Sequence, residues 1–284
     1  MSSTFYPRGD LRPTETFPVV QRTGVKFFRK VTRSFVGTFR NIGVRGFFAR
    51  DIIRAFGDPA TYGAETIRQM RNIGVVSVPL TAIVAGFIGA VIALQTRYQL
   101  FAGVQLSLVG LATRQTIILE LGPLLTALVL TGRVGARMTA EIGTMRVTEQ
   151  IDALETLAYD PIAFLVVPRL IAATLMLPVL TVLADAIGVG SGYGISVLAT
   201  DITQKDFKEG VRLAFAVFQV VYSVIKATMF GAAIAFVCTY EGYITEAGAE
   251  GVGRSTARAV VITSVTILVL DALTAVALAQ KLQG

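Results

Sequence analysis

Apolar residues run along this chain in five long blocks, separated by short polar stretches. The blocks fall at about 75–94, 109–135, 165–199, 213–240 and 259–280. A helix needs about 20 mostly apolar residues to cross roughly 30 Å of hydrocarbon, so each block predicts a membrane-spanning helix. Val75 to Leu94 holds no charge, and Pro79 stands near its start, where a proline does least damage. The charge-poor part of the second block, Gln115 to Gly132, carries Glu120. The third stays apolar from Leu170 to Ala199 apart from Asp185. As one helix that stretch would reach about 45 Å, so it must tilt, protrude or break. The run "GVGSGYG" offers a place to bend. It also sets Gly188 four residues from Gly192 and Gly190 four from Gly194, the small-residue spacing that lets helices approach closely.

The pattern predicts an all-α integral membrane protein in three parts. Residues 1–20 form a polar tail, residues 21–74 a basic amphipathic segment at the membrane interface, and residues 75–284 a five-span domain. Between Gln21 and Gly57, seven phenylalanines alternate with Lys and Arg. That mixture suits helices lying in the headgroup layer, rings down and cations out. Packing of the same helices on protein is the other reading of the segment.

Composition agrees with the pattern. Of the 284 residues, 53% are hydrophobic and 16% charged, against roughly 25% charged in soluble domains. The net charge of +7 sits almost wholly in residues 1–74, with thirteen Lys/Arg against five Asp/Glu. A basic end beside apolar spans points to an anionic membrane face rather than to nucleic acid. The positive-inside rule then sets the topology. With the N-terminus in the cytoplasm, the inner segments hold nineteen Lys/Arg and the outer ones six. The C-terminus falls outside.

With no histidine and one cysteine, a His-based triad, a zinc hydrolase and a disulfide framework are all out of reach. The chain contains no H-E-x-x-H, G-x-S-x-G or G-x-x-x-x-G-K-[ST]. The reading is therefore a transport subunit and not an enzyme, with no cofactor, no metal and no ATP site of its own.

One stretch stands out against the oily background: "RVGARMTAEIGTMRVTEQIDALETLAYDP", residues 133–161. Thr148 is placed to cap a short helix. Glu149 and Asp152 suit its first turn, and Asp160-Pro161 suits its end. Ile151, Leu154 and Ala158 make an apolar stripe. From Glu141 through Arg146 to Glu155, four carboxylates face one arginine. Such a helix is ill suited to an anionic leaflet and better suited to a groove on a partner protein. A solvated turn is the plain alternative.

The last four blocks each carry one ionisable residue near mid-membrane: Glu120, Asp185, Lys226 and Asp271. A charge at that depth costs about 2.5–3.5 kcal/mol on insertion scales, so such residues face a bundle interior or a wet cavity. Glu120 and Lys226 are candidates to line a lipid headgroup path, and mutual ion pairing is the alternative for all four. Leu94, Tyr98 and Leu100, at the outer end of the first block, are candidates for the acyl chains or else core packing.

The run "LELGPLLTALVLTGRVGARMTAEIGTMRVTEQIDALETLAYDP", with "PRL" at 168–170 and "STAR" at 255–258, resembles the MlaE (YrbE) permease family. The likeness extends from about Asn72 to the C-terminus. It implies the membrane subunit of an ABC transporter in a bacterial inner membrane, moving phospholipid or a related lipid. It implies a homodimer, a separate cytoplasmic ATPase dimer and an MCE-domain protein on the outer face. It also implies that residues 141–158 form a coupling helix seated in the ATPase, with Glu141, Arg146, Glu149, Asp152 and Glu155 at the contact. Matching positions favour Glu120 and Lys226 as cavity residues. The rival reading is an ion-coupled secondary transporter that uses the buried carboxylates.

Overall fold

A computed structural model describes residues 43–57, 59–101, 103–246 and 248–282. The tail and most of the aromatic, basic stretch lie outside the described residues. The chain divides into two units, Met1–Ala49 and Arg50–Gly284. Of the first, residues 43–49 are described and are helical. The second unit is helical among its described residues, with no strand.

Among the described residues, five helices are long and apolar enough to cross a membrane: Tyr62–Gln99, Ser107–Val147, Ile162–Ala199, Val217–Tyr243 and Ala249–Ala277. All five expected spans are present, most of them longer than the apolar blocks. The first begins well before Val75 because the helix Pro59–Ile73 continues, through a 3-10 turn at Val75–Ser77, into Val78–Gln99. Pro79 falls in the first turn after that junction, where its missing N–H costs nothing. The second extends to Val147, carrying the polar residues of "RVGARMTAEIGTMRV" as its last turns. It contains two wide turns, Ile117–Leu121 and Thr131–Gly135.

The third span does not break. Val167–Ala199 is one helix of 33 residues, so its excess length is left to tilt or protrusion. It lies centrally, packed on the first and fourth spans, and the fourth packs on the fifth and on the end of the second. Leu130, Met138, Leu177, Leu180, Phe230 and Ile267 meet in the shared core. Of the two glycine pairs, one makes a helix contact. Gly188 and Gly192 face the first span at Gly89 and Ala93, whereas Gly190 and Gly194 have open space around them. A methyl group on Gly89 would run into the Gly188 carbonyl. Gly89→Ala is accordingly expected to push the first and third spans apart. The expected cost is about 1–3 kcal/mol, read as a lower melting temperature in detergent, while Gly190→Ala changes little.

A short helix, Gln204–Arg212, joins the third and fourth spans. Thr203 caps it, its hydroxyl accepting the Asp206 N–H at 3.2 Å while Asp206 reaches back to Thr203. It packs closely on the start of the second span: Gly210 lies against the Ser107 backbone and Gly110 against the Phe207 backbone. Arg97, near the end of the first span, clamps Asp201 through two contacts of 2.6 Å. The Arg97 guanidinium holds the Asp201 carboxyl below its ordinary range, so this latch stays charged well into mild acid.

Candidate functional site

Three of the four ionisable residues that the sequence marks at mid-span, Glu120, Lys226 and Asp271, come together. The Lys226 side chain is fully buried, with Nζ 2.8 Å from Glu120 Oε2 and 2.6 Å from Asp271 Oδ1. The ammonium also donates to the Leu119 carbonyl at 3.0 Å and lies 5.1 Å from the Tyr222 ring centre. The Asp271 contact is an ion pair by distance, without hydrogen-bond alignment. Glu120, Lys226 and Asp271 stand on the second, fourth and fifth spans, so the cluster ties three helices. Its members differ in access: the Asp271 side chain is 16% exposed and that of Glu120 46%. Glu120 is the open edge.

The motif E-L-G-P is what builds this corner. Pro123 has no N–H to give the carbonyl four residues earlier, which is that of Leu119. Lys226 takes that freed carbonyl. The chain widens there into the turn at Ile117–Leu121, as helices do where the regular bonding ladder is interrupted. Gly122 is needed for a different reason. A Cβ on it would occupy the place of Asp185 Oδ1. Asp185 stays apart from the cluster. Its other oxygen accepts from the Ser223 hydroxyl at 2.9 Å, and among the described residues it forms no ion pair.

Downstream, the motif residues hold helices together. Gly135 gives room to Cys238, and Gly143 to Thr245. Thr139 donates to the Cys238 carbonyl at 2.9 Å. Glu141 pairs with Arg137 at 2.7 Å and with the buried Arg169 at 3.3 Å. Arg169 belongs to the "PRL" triplet, so Glu141 links the second span to the third.

The acidic segment is not one element over 141–158. The second span ends at Val147, and a separate helix covers Gln150–Thr156. Thr148 does not cap that helix. Its hydroxyl donates back to the Thr144 carbonyl at 2.8 Å, so Glu149 makes the reversal instead, with φ of 59°. The helix stops before Asp160-Pro161. Ala158 turns left-handed, φ 61°, and the Ala158 and Tyr159 N–H groups close on the Glu155 and Leu154 carbonyls, both at 3.0 Å. That paired closure satisfies the last carbonyls of the helix on its own. Ala158 is therefore exposed and leaves the apolar stripe.

The stripe reduces to Ile151 and Leu154, packed with Ile142, Met145, Phe164 and Leu165. Glu149, Asp152 and Glu155 are exposed, as are Leu157 and Tyr159 beside them. Arg146 crosses the reversal to hold Asp152 at 2.7 Å.

Leu94, Tyr98 and Leu100 do not form one surface. Leu100 packs with Leu106, Val109, Ile202 and Phe207 in a small core beneath the Gln204–Arg212 helix. Tyr98 is 79% exposed and Leu94 half-buried. Asp271 is the member of the charge cluster that the sequence placed less firmly. Its position in the fifth block gave no sign of which residue it faced.

Comparison with known proteins agrees with this architecture. Residues 66–277 match the family described as Permease MlaE. A probable ABC transporter permease of Rickettsia prowazekii is 40% identical over 234 residues, 81% of this chain and 89% of that protein. A probable ABC transporter permease of Synechocystis is 40% identical over 72% of this chain and 78% of its own length. The intermembrane phospholipid transport system permease protein MlaE of Haemophilus influenzae is 30% identical over 87% of this chain and 95% of its length. The matched region takes in both the Lys226 cluster and the acidic helix, and the chain belongs to the MlaE permease family.

Proposed function

We propose that this permease moves phospholipid, or a lipid of similar chemistry, between the membrane that holds it and an MCE-domain partner on the outer face. The energy comes from a separate ATPase dimer on the cytoplasmic side. The observation that carries this reading is the acidic helix Gln150–Thr156. It is anchored on one side by Ile151 and Leu154, and offers Glu149, Asp152, Glu155, Leu157 and Tyr159 to a partner on the other. Carboxylates beside exposed apolar residues suit a protein cleft. They do not suit a leaflet with negative surface potential. The Lys/Arg bias favours the cytoplasm for this end of the bundle, where ATP is.

The coupling route follows from the anchors. Asp152 is tied to the second span by Arg146. Glu141 ties the second span to the third through Arg169. A pull on the helix is passed to both spans at once. The second span carries Glu120, so the same pull bears on the Lys226 cluster. A lipid phosphate entering at the open edge competes with Glu120 for the Lys226 ammonium, a compact point charge. Two copies of the chain present two equivalent helices to the two ATPase subunits. The phospholipid assignment follows the Haemophilus influenzae relative, an intermembrane phospholipid transport system permease protein.

Intact-mass measurement on the assembly purified in mild detergent tests this reading. The expected particle holds two copies of this chain, two ATPase subunits, an MCE-domain protein and bound phospholipid. A chain that purifies alone and transports without nucleotide would overturn it, in favour of a carboxylate-based secondary transporter.

A further inference from the structure

A cavity of about 670 Å³ lies away from the Lys226 cluster, between the second, third and fourth spans and the segment that follows the Gln204–Arg212 helix. Ile118, Val182, Ala186, Val189 and Val220 supply apolar walls, and Arg114, Asp185, Arg212 and Phe215 are also on its lining. The volume is in the range of pockets that bury a small amphiphile.

Arg114 is the unusual member. It is a guanidinium only 1% exposed. Its partners are neutral: the Gln219 side chain, the Leu213 carbonyl at 3.0 Å and the Phe215 ring at 5.3 Å. Among the described residues its Nε has no hydrogen-bond partner, and no carboxylate stands within ion-pairing distance of it. Asp185 lines the same cavity but is held by Ser223. A buried cation without a counter-charge is costly. It calls for an anion from outside, and guanidinium suits phosphate in particular. Arg212, exposed on the same lining, doubles the positive charge at this end.

We infer that this cavity is a second amphiphile site, in which Arg114 and Arg212 hold a phosphate-bearing headgroup and the valine-rich walls take an acyl chain. Asp185, also on the lining, disfavours a phosphate set beside it. Each chain then offers two lipid positions, this one and the edge at Glu120, built on the same second span. The edge position rests on the function proposed above, whereas the cavity stands on its own residues.

The test uses a monoacyl lipid phosphate with a photoreactive group in its chain, incubated with the purified full-length protein in detergent. Label is expected on residues 182–189 of the third span. Unlabelled lipid phosphate should displace it, and inorganic phosphate in large excess should not. Ala186→Trp, which fills the apolar wall, and Arg114→Gln, which removes the charge, should each lower labelling by about tenfold or more. Arg114→Lys, which keeps the charge but loses the planar fork, should lower it less than Arg114→Gln does. Glu120→Gln should leave this label unchanged, which separates the site from the Lys226 cluster. If Arg114→Gln does not fold, Ala186→Trp still decides the matter. Labelling that survives Ala186→Trp, or that is equally strong with an uncharged monoacylglycerol probe, overturns the site. Displacement by inorganic phosphate as effective as by lipid makes it a free-anion site and overturns the amphiphile assignment.

Discussion

Lys226→Met is expected to destabilise the protein by about 3–5 kcal/mol, the range found when one partner of a buried ion pair is removed. The lower end applies here, because Glu120 is half open and can reach solvent or headgroups. The physical reason is asymmetric. The substitution removes one cation but leaves two carboxylates and the Leu119 carbonyl that it served. Melting in detergent, followed by circular dichroism, measures the loss. The informative companion is the triple change Lys226→Met, Glu120→Gln, Asp271→Asn, which removes the charges together. Replacing a whole buried ionic group by well-packed hydrophobic side chains is often harmless or stabilising, and the neutral isosteres likewise leave no uncompensated charge behind. The triple variant is therefore expected to recover most of the melting temperature. If the cluster also receives lipid phosphate, transport stays abolished in the recovered protein. Recovery of transport along with stability would mean that the three charges serve the fold alone.

The cluster also shows what the residues could and could not announce. Five spans were legible because hydrocarbon demands length and apolar composition, and both are written in the chain. The cost of a buried charge likewise marked Glu120, Asp185, Lys226 and Asp271 without any structure. Which of them meet was not legible. Each helical residue turns the side-chain direction by about 100°, so pairing depends on the rotation of four helices at once. Asp271 turned inward to Lys226, while Asp185 turned to Ser223 and the gap left by Gly122.

Arg114 was hidden for a related reason. It stands at the edge of an apolar block, where an arginine reads as an outer-face charge. The helix starts earlier, at Ser107, and the Leu213 carbonyl, the Phe215 ring and the Gln219 side chain enclose it. The acidic helix was legible in character but not in bounds. The Thr148 hydroxyl could cap the helix that follows or bond back into the one that precedes it. It bonded back, as Thr often does. Ala158 accepts a left-handed backbone that ordinarily favours glycine, so nothing in its identity marked the helix end.

Glu149→Lys with Asp152→Lys is expected to sever the permease from the ATPase proposed above while leaving the bundle intact. Both side chains are exposed, so reversing them creates no buried charge. Within the bundle the double change breaks the Arg146–Asp152 ion pair, a surface pair in which Asp152 is 56% exposed. Such pairs are worth roughly 0–1 kcal/mol. Melting should therefore shift little. The effect on assembly is larger, because both negative charges become positive on a surface proposed to fit a cleft. Truncation of a single interface hot spot costs about 2 kcal/mol or more, which corresponds to roughly thirtyfold in affinity. Reversal adds repulsion to that loss. The measurements are co-purification of the ATPase, and transport together with ATP hydrolysis in reconstituted vesicles. The expected result is hydrolysis no longer linked to lipid movement, with the ATPase recovered poorly or not at all. Arg146→Gln provides the internal comparison. It keeps the carboxylates on the surface but cuts the strut between Asp152 and the second span, so it should weaken coupling while preserving ATPase binding. Equal and undiminished coupling in both variants would leave the helix as a solvated turn and would move the search for the drive elsewhere in the bundle.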